Sequence, residues 1–338
     1  MSINYKPEKE FNIYKLKEKD TLKSIALFLN KSEWEVAGFH NCYAKGNEII
    51  GYEFPKELKN LYLNPNISEK HLEGVPKAKF ESGYLNIKPF EKINYKVKFI
   101  STIEDEINTI EYDVCIKHKE SKQEYHLFEI DRISKVYVNN QLADTKIEEL
   151  AQKVSEVLFP IVVFVNPNGK WEEIYNHQDI SKRWVNNKSK ILSEFQGDEF
   201  ENYCIAFEQS ITTKASLTES LQNDWFLNAY FGEIYANSYQ NLVTEFTLNF
   251  PLQTDSNAIQ YKVLQTIDEY LDSEDNISIE RKGIVVYDNF DNTAGNFYSN
   301  YALNTKDNSI KMIRLECNIE GNSTEKLQIA IVTLTDKK

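Results

Sequence analysis

The residue types that most often carry out chemistry are sparse in this chain, and their spacing assigns no reactive centre. No two cysteines form a CxxC pair, so neither a zinc site nor a redox dithiol is predicted. We expect buried free thiols, as in a reducing compartment, at Cys42, Cys115, Cys204 and Cys317. The histidines show no helical clustering and no HExxH motif, so no metal ligand is predicted among His40, His71, His118, His126 and His177.

Nucleophilic, phosphate-binding and two-carboxylate chemistry also lack a defined motif. There is no GxSxG elbow, and Cys204 with His177 is a single pair without a motif. There is no Walker loop and no GxGxxG, and the chain has only 11 glycines, which disfavours a phosphate cradle. A glycan hydrolase would need two carboxylates, and the acids of one helical region are equally typical of a solvated helix face: Glu194, Glu199, Glu201 and Glu208. No catalytic residue and no cofactor is therefore assigned.

Two acidic stretches, DSEDN (272–276) and DNFDNTAG (288–295), superficially resemble cation-binding loops. Neither has the spacing of an EF-hand, with its Gly and its distant Glu. Asp and Asn side chains readily hydrogen-bond the backbone two residues further on, so both stretches are interpreted as Asx-rich turns. No metal is predicted.

The composition predicts a large globular protein. The 338 residues correspond to roughly two to three domains, and 41% hydrophobic residues suffice for a sizeable core. A net charge of -13 argues against nucleic acid and anionic lipid as partners. No segment approaches the about 18 apolar residues of a membrane span, and the N-terminus lacks the apolar region of a signal peptide. We therefore expect a chain synthesised in the cytoplasm, without membrane insertion.

The first sixty-odd residues predict a strand, two helices and a second strand. FNIYKLK alternates like a strand, and Asp20 is the predicted N-cap of the first helix. The apolar stripe of that helix consists of Leu22, Ile25, Ala26 and Leu29. Ser32 is the predicted cap of the second helix, whose apolar residues are Trp34, Val36, Ala37 and Phe39. LKNLYLNP then predicts a strand with Leu61 and Leu63 on one face.

Residues 11–65 resemble a LysM module. The most specific part is DTLKSIA, and the positions that match the family pattern are Tyr14, Leu16, Asp20, Thr21, Leu22, Ile25, Ala26, Asn41, Leu61, Leu63 and Pro65. Two departures are Lys19, where the family usually has Gly, and a longer segment between Asn41 and Pro65 that contains CYAKGNEIIGYEFPKE. The resemblance implies a small βααβ fold that binds N-acetylglucosamine-containing glycans or a protein partner, with Asp20, Thr21, Leu22 and Asn41 at the contact.

The remainder of the chain, to which no resemblance is assigned, predicts an α+β fold. A polar linker is expected at 66–83, followed by an antiparallel meander whose first strand places Tyr95, Val97 and Phe99 on one face. A helix follows at 144–159, with Asp144 and Thr145 as cap candidates, and Asn168-Gly169 predicts a hairpin. A helical block at about 178–231 and a series of strands complete the α+β region at 84–338. The patterns leave open whether this region is one domain or two, and any seam is expected near residue 236.

Two functional hypotheses fit these features. The first is a non-enzymatic binding or adaptor protein, whose LysM-like module docks on peptidoglycan-type glycan or on a secretion-machine protein. By analogy, such a chain would be an accessory component or cargo of a bacterial contractile, type VI-like secretion apparatus, exported by that specialised system. The alternative is an envelope-targeted toxin or peptidoglycan hydrolase, in which the module targets and the larger domain cuts.

Overall fold

The computed structural model describes residues 11–17, 20–29, 31, 33–45, 48–51, 54–63, 78, 85–122, 125–235, 242–254, 257–268, 270–272, 274–286, 294–320 and 324–334. Almost all of the predicted linker at 66–83 and the predicted seam near 236 lie outside these residues. So do Lys19, Ser32, Pro65 and the side chain of Trp34. The sequence predictions for these positions are not addressed further.

The N-terminal unit, residues 11–63, has the predicted element order: β1 (Asn12–Lys15), α1 (Leu22–Phe28), α2 (Glu33–Tyr43) and β2 (Asn60–Leu63). The two strands pair antiparallel, with Asn12 opposite Leu63 and Lys15 opposite Asn60. The apolar stripe of α1 packs against α2 and β2 because these elements are too short to bury it alone. The buried core of the unit comprises Leu22, Ile25, Ala26, Val36, Ala37, Ile50, Leu58, Leu61 and Leu63.

The predicted cap of α1 was wrong by one residue. Thr21, not Asp20, accepts a hydrogen bond from the Ser24 backbone N–H at 3.0 Å, and the Ser24 hydroxyl accepts from the Thr21 N–H at 2.9 Å. This reciprocal pair satisfies two of the amide groups that a helix N-terminus leaves free. Asp20 is consequently available for other contacts.

The rest of the protein is built on one 13-stranded sheet, called here the main sheet. Its first strands are β3 (Ile93–Ile103), β4 (Glu106–Lys122), β5 (Tyr125–Arg132), β6 (Tyr137–Val138), β7 (Gln141–Leu142), β8 (Ile161–Val165) and β9 (Trp171–Ile174). The later strands are β10 (Val243–Phe250), β11 (Ile259–Ile267), β12 (Asn276–Val285), β13 (Ala294–Asn304), β14 (Ile310–Glu320) and β15 (Thr324–Thr333). The order β10-β11-β12-β13-β14-β15-β3-β4-β5-β8-β9 places β15 beside β3, so the strands before and after the helical block form one continuous sheet.

The helical block lies between these two sets of strands in the chain. It follows α3 (Lys146–Glu156) and consists of α4 (His177–Glu194), α5 (Asp198–Ser210), α6 (Lys214–Ser220) and α7 (Trp225–Tyr230). Thr145 and Glu148 form a capping box at α3, as the sequence suggested. Gly169 adopts a φ of 91° in the β8–β9 hairpin, a conformation that favours glycine. Antiparallel sheet and separate helices confirm the α+β class.

The two faces of the main sheet differ in character. Tyr95, Val97 and Phe99 are all buried in the large apolar core that the helices cover, as predicted from their alternation. On the opposite face Lys98 and Arg314 are also buried, with 3% and 7% of their surface exposed. These cations are covered because the N-terminal unit packs α2 over strands β3, β14 and β15. Among the described residues, no helix is long and apolar enough to cross a bilayer.

Candidate functional site

Asp20 forms the centre of a small hydrogen-bonded turn between β1 and α1. Its Oδ2 accepts from the Tyr14 hydroxyl at 3.1 Å and from the Lys17 backbone N–H at 2.8 Å. Desolvation, together with the hydrogen bond to Asp20, raises the pKa of the Tyr14 hydroxyl. The carboxylate is half-buried, so it both closes this turn and presents an acceptor at the surface.

Thr21 and Leu22 follow Asp20 but point to different environments. Thr21 is exposed, and its hydroxyl caps α1. Leu22 is 5% exposed and belongs to the apolar core of the unit. The surface of this turn is therefore made by Asp20 and Thr21, while Leu22 anchors it from beneath.

Asn41 lies on α2 and uses its whole side-chain amide inside the unit. Its Nδ2 donates to the Ile50 carbonyl and its Oδ1 accepts from the Ile50 N–H, both at 2.9 Å. The side-chain amide thereby forms, with the Ile50 backbone, the two hydrogen bonds that a neighbouring strand would otherwise form. Ile50 itself is completely buried. Of the four residues predicted at the contact, Leu22 and Asn41 thus meet in one core through Ile50, and Asp20 and Thr21 form the outer surface.

His40, which the sequence analysis did not assign to a site, links the loop after α2 to strand β2. Its Nε2 lies 2.9 Å from the Glu48 carbonyl, and the Tyr62 N–H donates to Nδ1 at 3.1 Å. These two contacts require a neutral ring with its proton on Nε2. Burial lowers the pKa of His40 to about 4. The only sequence signal was a histidine directly beside Asn41 at the end of a helix.

The N-terminal unit is fixed to the main sheet by two buried cations, which we call the mount. The Lys98 ammonium donates to the Ala44 carbonyl and pairs with Glu111 at 2.9 Å. The Arg314 guanidinium donates to the Ile50 and Gly51 carbonyls at 3.0 and 2.7 Å. Both cations therefore bond the loop that follows α2. Removing Lys98 would take this donor from the Ala44 carbonyl, and removing Arg314 would take it from the Gly51 carbonyl, whereas the Ile50 carbonyl would keep its bond from Asn41.

The helix α2 approaches the sheet closely above the mount. A Cβ atom added at Gly38 would lie 2.9 Å from the Met312 sulfur, so the absence of a side chain allows this approach.

No family model and no curated protein matches this chain. The candidate sites therefore depend on the geometry of its own residues.

A second contact joins the N-terminal unit to the segment before β12 through a lysine and several acidic side chains. Lys31 bridges Glu35 on α2 at 3.5 Å and Glu274, before β12, at 3.0 Å. Asp272 forms the predicted Asx turn, since its Oδ1 accepts from the backbone N–H groups of Glu274 and Asn276, each at 2.8 Å. Burial, and secondarily the charge of Glu35, raises the pKa of Asp272 to about 6.

The cysteines are free and buried at all four positions, as predicted. Burial raises the pKa of each thiol, that of Cys42 to about 12, so these sulfurs are held in the protonated, less nucleophilic form. The His177 ring lies 2.8 Å from the Ile211 carbonyl. Among the described residues, no three His, Cys, Asp or Glu side chains are grouped as a metal site would require.

An open cleft, which we call the edge cleft, lies where the two ends of the main sheet approach the helices. It has a volume of about 1000 Å³, and its walls include both edge strands, β9 and β10. Most of the residues that line it carry carboxylate, amide or ammonium groups, among them Glu172, Glu173, Lys214, Gln222, Asn228 and Asn249. Sequence reasoning missed this site because its residues come from three separate parts of the chain, at 166–173, 214–233 and 249–258.

Proposed function

We propose that the protein is a non-enzymatic adaptor. Its LysM-like N-terminal unit docks on peptidoglycan-type glycan or on a protein partner, and its larger domain holds a second partner. The mount supports this proposal most directly, because Lys98 and Arg314 fix the unit to the main sheet while leaving the Asp20–Thr21 turn at the surface. A load applied at the turn would be transmitted to the sheet through buried charge-assisted hydrogen bonds.

The proposed setting is a bacterial contractile, type VI-like secretion apparatus. In this setting the protein is made in the cytoplasm and acts there as an accessory component, or leaves the cell as cargo of the apparatus. A rigidly mounted small module on a broad sheet suits such an assembly because it keeps the geometry between two partners constant.

A peptidoglycan pull-down combined with a muropeptide-release assay tests the proposal on the full chain. We expect retention on the glycan, or on a co-purifying protein, without release of muropeptides. The Asp20→Ala/Thr21→Ala variant should weaken that contact. Release of muropeptides would instead establish the alternative, an envelope-targeted hydrolase.

The test needs a control for the helix cap, because Thr21→Ala also costs the cap, about 1 kcal/mol. Asp20→Ala/Thr21→Ser keeps a hydroxyl that can cap α1, so it separates loss of the cap from loss of the contact. Asp198→Ala/Thr212→Ala makes the same chemical change at exposed positions of the helical block. Equal binding by the wild type and the folded Asp20→Ala/Thr21→Ala variant would contradict the assigned contact.

A further inference from the structure

The edge strand β10 has a row of backbone hydrogen-bonding groups that face away from the main sheet. The Ile267 N–H donates to the Leu242 carbonyl at 2.9 Å, and these residues are opposite each other in the β10–β11 register. Hydrogen-bonded and non-hydrogen-bonded pairs alternate in an antiparallel ladder. The N–H and C=O groups of every second residue from Val243 to Asn249 therefore point to the free edge.

This edge carries few of the features that usually prevent strand addition. Over eight residues β10 pairs with β11 without a register shift, and its sequence VTEFTLNF contains no Lys and no Pro. Its one charged residue, Glu245, pairs with Lys262 on β11. No described residue pairs with the outer side of β10. Natural proteins usually protect such an edge with lysine, proline or a bulge, so an unprotected edge of this length is suited to strand addition.

The edge cleft continues from the Asn249 end of this edge, and its charges select the partner. Four glutamates and two lysines contribute to its lining, which leaves two uncompensated negative charges. Lys214 pairs with Glu173, and Lys170 lies 3.9 Å from Glu233. Within the described part of the chain, no ammonium or guanidinium group forms an ion pair with Glu172 or Glu219. The acidic net charge of the whole chain, -13, adds attraction for a cationic partner.

We propose that an extended, basic polypeptide segment of a partner protein binds here. It adds a strand to β10 through main-chain hydrogen bonds, and its Lys or Arg side chains reach Glu172 and Glu219 in the cleft. The side-chain amide of Gln222 supplies a further hydrogen-bonding group for a peptide backbone. The inference deepens the proposed adaptor function, since it names the class of the second partner, but it does not require the Asp20–Thr21 contact.

Fluorescence anisotropy with the full chain and a labelled eight-residue peptide of alternating Lys and Val tests the proposal. We expect saturable binding that weakens as salt is raised. A peptide of alternating Glu and Val should not bind, and a Lys–Val peptide N-methylated at every residue should bind at least about tenfold more weakly, because it has no backbone N–H left to donate to β10. The Asp20→Ala/Thr21→Ala variant should bind the Lys–Val peptide normally, which separates this inference from the proposed function.

Two sets of variants locate the site. Glu172→Gln/Glu219→Gln should weaken binding, whereas Glu199→Gln/Glu201→Gln, which makes the same change of charge on the exposed face of α5, should not. Thr247→Pro removes one outward N–H without removing a β10–β11 hydrogen bond, and should weaken binding relative to Thr247→Val.

Four results would overturn the proposal. They are equal binding of the N-methylated and unmodified peptides, equal binding of the Glu–Val peptide, no binding of the Lys–Val peptide at about 1 mM, and sedimentation showing that β10 instead joins two copies of this chain. The last would appear as a dimer that Thr247→Pro dissociates.

Discussion

The neutral ring of His40 makes the N-terminal unit sensitive to acid. The pKa of His40 is about 4 in the folded protein, against 6.5 for an unperturbed histidine. The unfolded state therefore binds more protons between these values, so stability is complete above pH 6.5 and falls as the pH is lowered towards 4. A difference of about 2.5 pKa units corresponds to about 3 kcal/mol. We expect the unit to lose this much of its free energy of unfolding by about pH 4.

Hydrogen exchange followed by mass spectrometry measures this loss locally, in peptides that cover α2 and β2. Other groups with shifted pKa values contribute in the same pH range. Among them are Asp272, with the opposite sign, and His126, whose pKa is also lowered to about 4 by burial. Urea unfolding of the whole chain would mix these contributions, so a local measurement is needed. The experiment is best done in an Asp272→Asn background.

The matched variant is His40→Gln, whose amide can still donate to the Glu48 carbonyl but does not titrate. It should be less stable at pH 7, since the Tyr62 N–H loses its acceptor. Its stability should nevertheless vary less between pH 6.5 and 4 than that of the wild type. The reasoning is refuted if protection of α2 and β2 is independent of pH in the wild type, or if His40→Gln shows the same slope.

Three further predictions concern the contacts of the N-terminal unit. Asp272→Asn should raise the free energy of unfolding at pH 7 by up to about 3 kcal/mol. Burial and, secondarily, the charge of Glu35 disfavour the ionised carboxylate in the folded protein, and Asn carries no charge. Urea titrations should show this gain in stability vanishing as the pH is lowered towards 4. Arg314→Met should cost about 1–3 kcal/mol and increase hydrogen exchange in the N-terminal unit, since the Gly51 carbonyl loses its Arg314 donor and the Ile50 carbonyl keeps only Asn41; unchanged exchange would contradict the mount. Asn41→Ala should cost about 1–3 kcal/mol, because the buried Ile50 N–H loses its acceptor while the Ile50 carbonyl keeps its bond from Arg314. If thermal unfolding shows no loss of stability, the structural role of Asn41 is contradicted and a ligand contact is the better assignment.

Alternation and helical spacing were sufficient for most of the secondary structure. The strand with Tyr95, Val97 and Phe99 and the helix starting after Thr145 were predicted because their patterns are local. Ile147 has the spacing of an apolar-stripe residue of α3, three positions before the buried Leu150, yet it is 37% exposed. Asp20 and Thr21 are neighbours, and both residue types are good N-caps, so the sequence pattern did not decide between them. Only the geometry shows that Thr21 accepts from the Ser24 N–H.

Long-range arrangement could not be predicted from the same patterns. Alternation alone places Lys98 on the sheet face opposite Val97 and Phe99, where a lysine would ordinarily meet solvent, yet the N-terminal unit buries it. Likewise, nothing local indicated that β15 would pair with β3, or that Glu172 and Asn249 would line one cleft. Such features depend on which surfaces meet after folding, and a single sequence carries no direct signal for that.

The pairing of β15 with β3 also constrains how the protein can form during translation. About 230 residues separate these two central neighbours, so the contact order is high and the entropy of closing the loop must be overcome before the pairing contributes. Until β15 leaves the ribosome, β3 is an unpaired edge strand of the half-built sheet. Nascent chains should therefore need a chaperone that shields β3, and a stalled chain should aggregate through that strand.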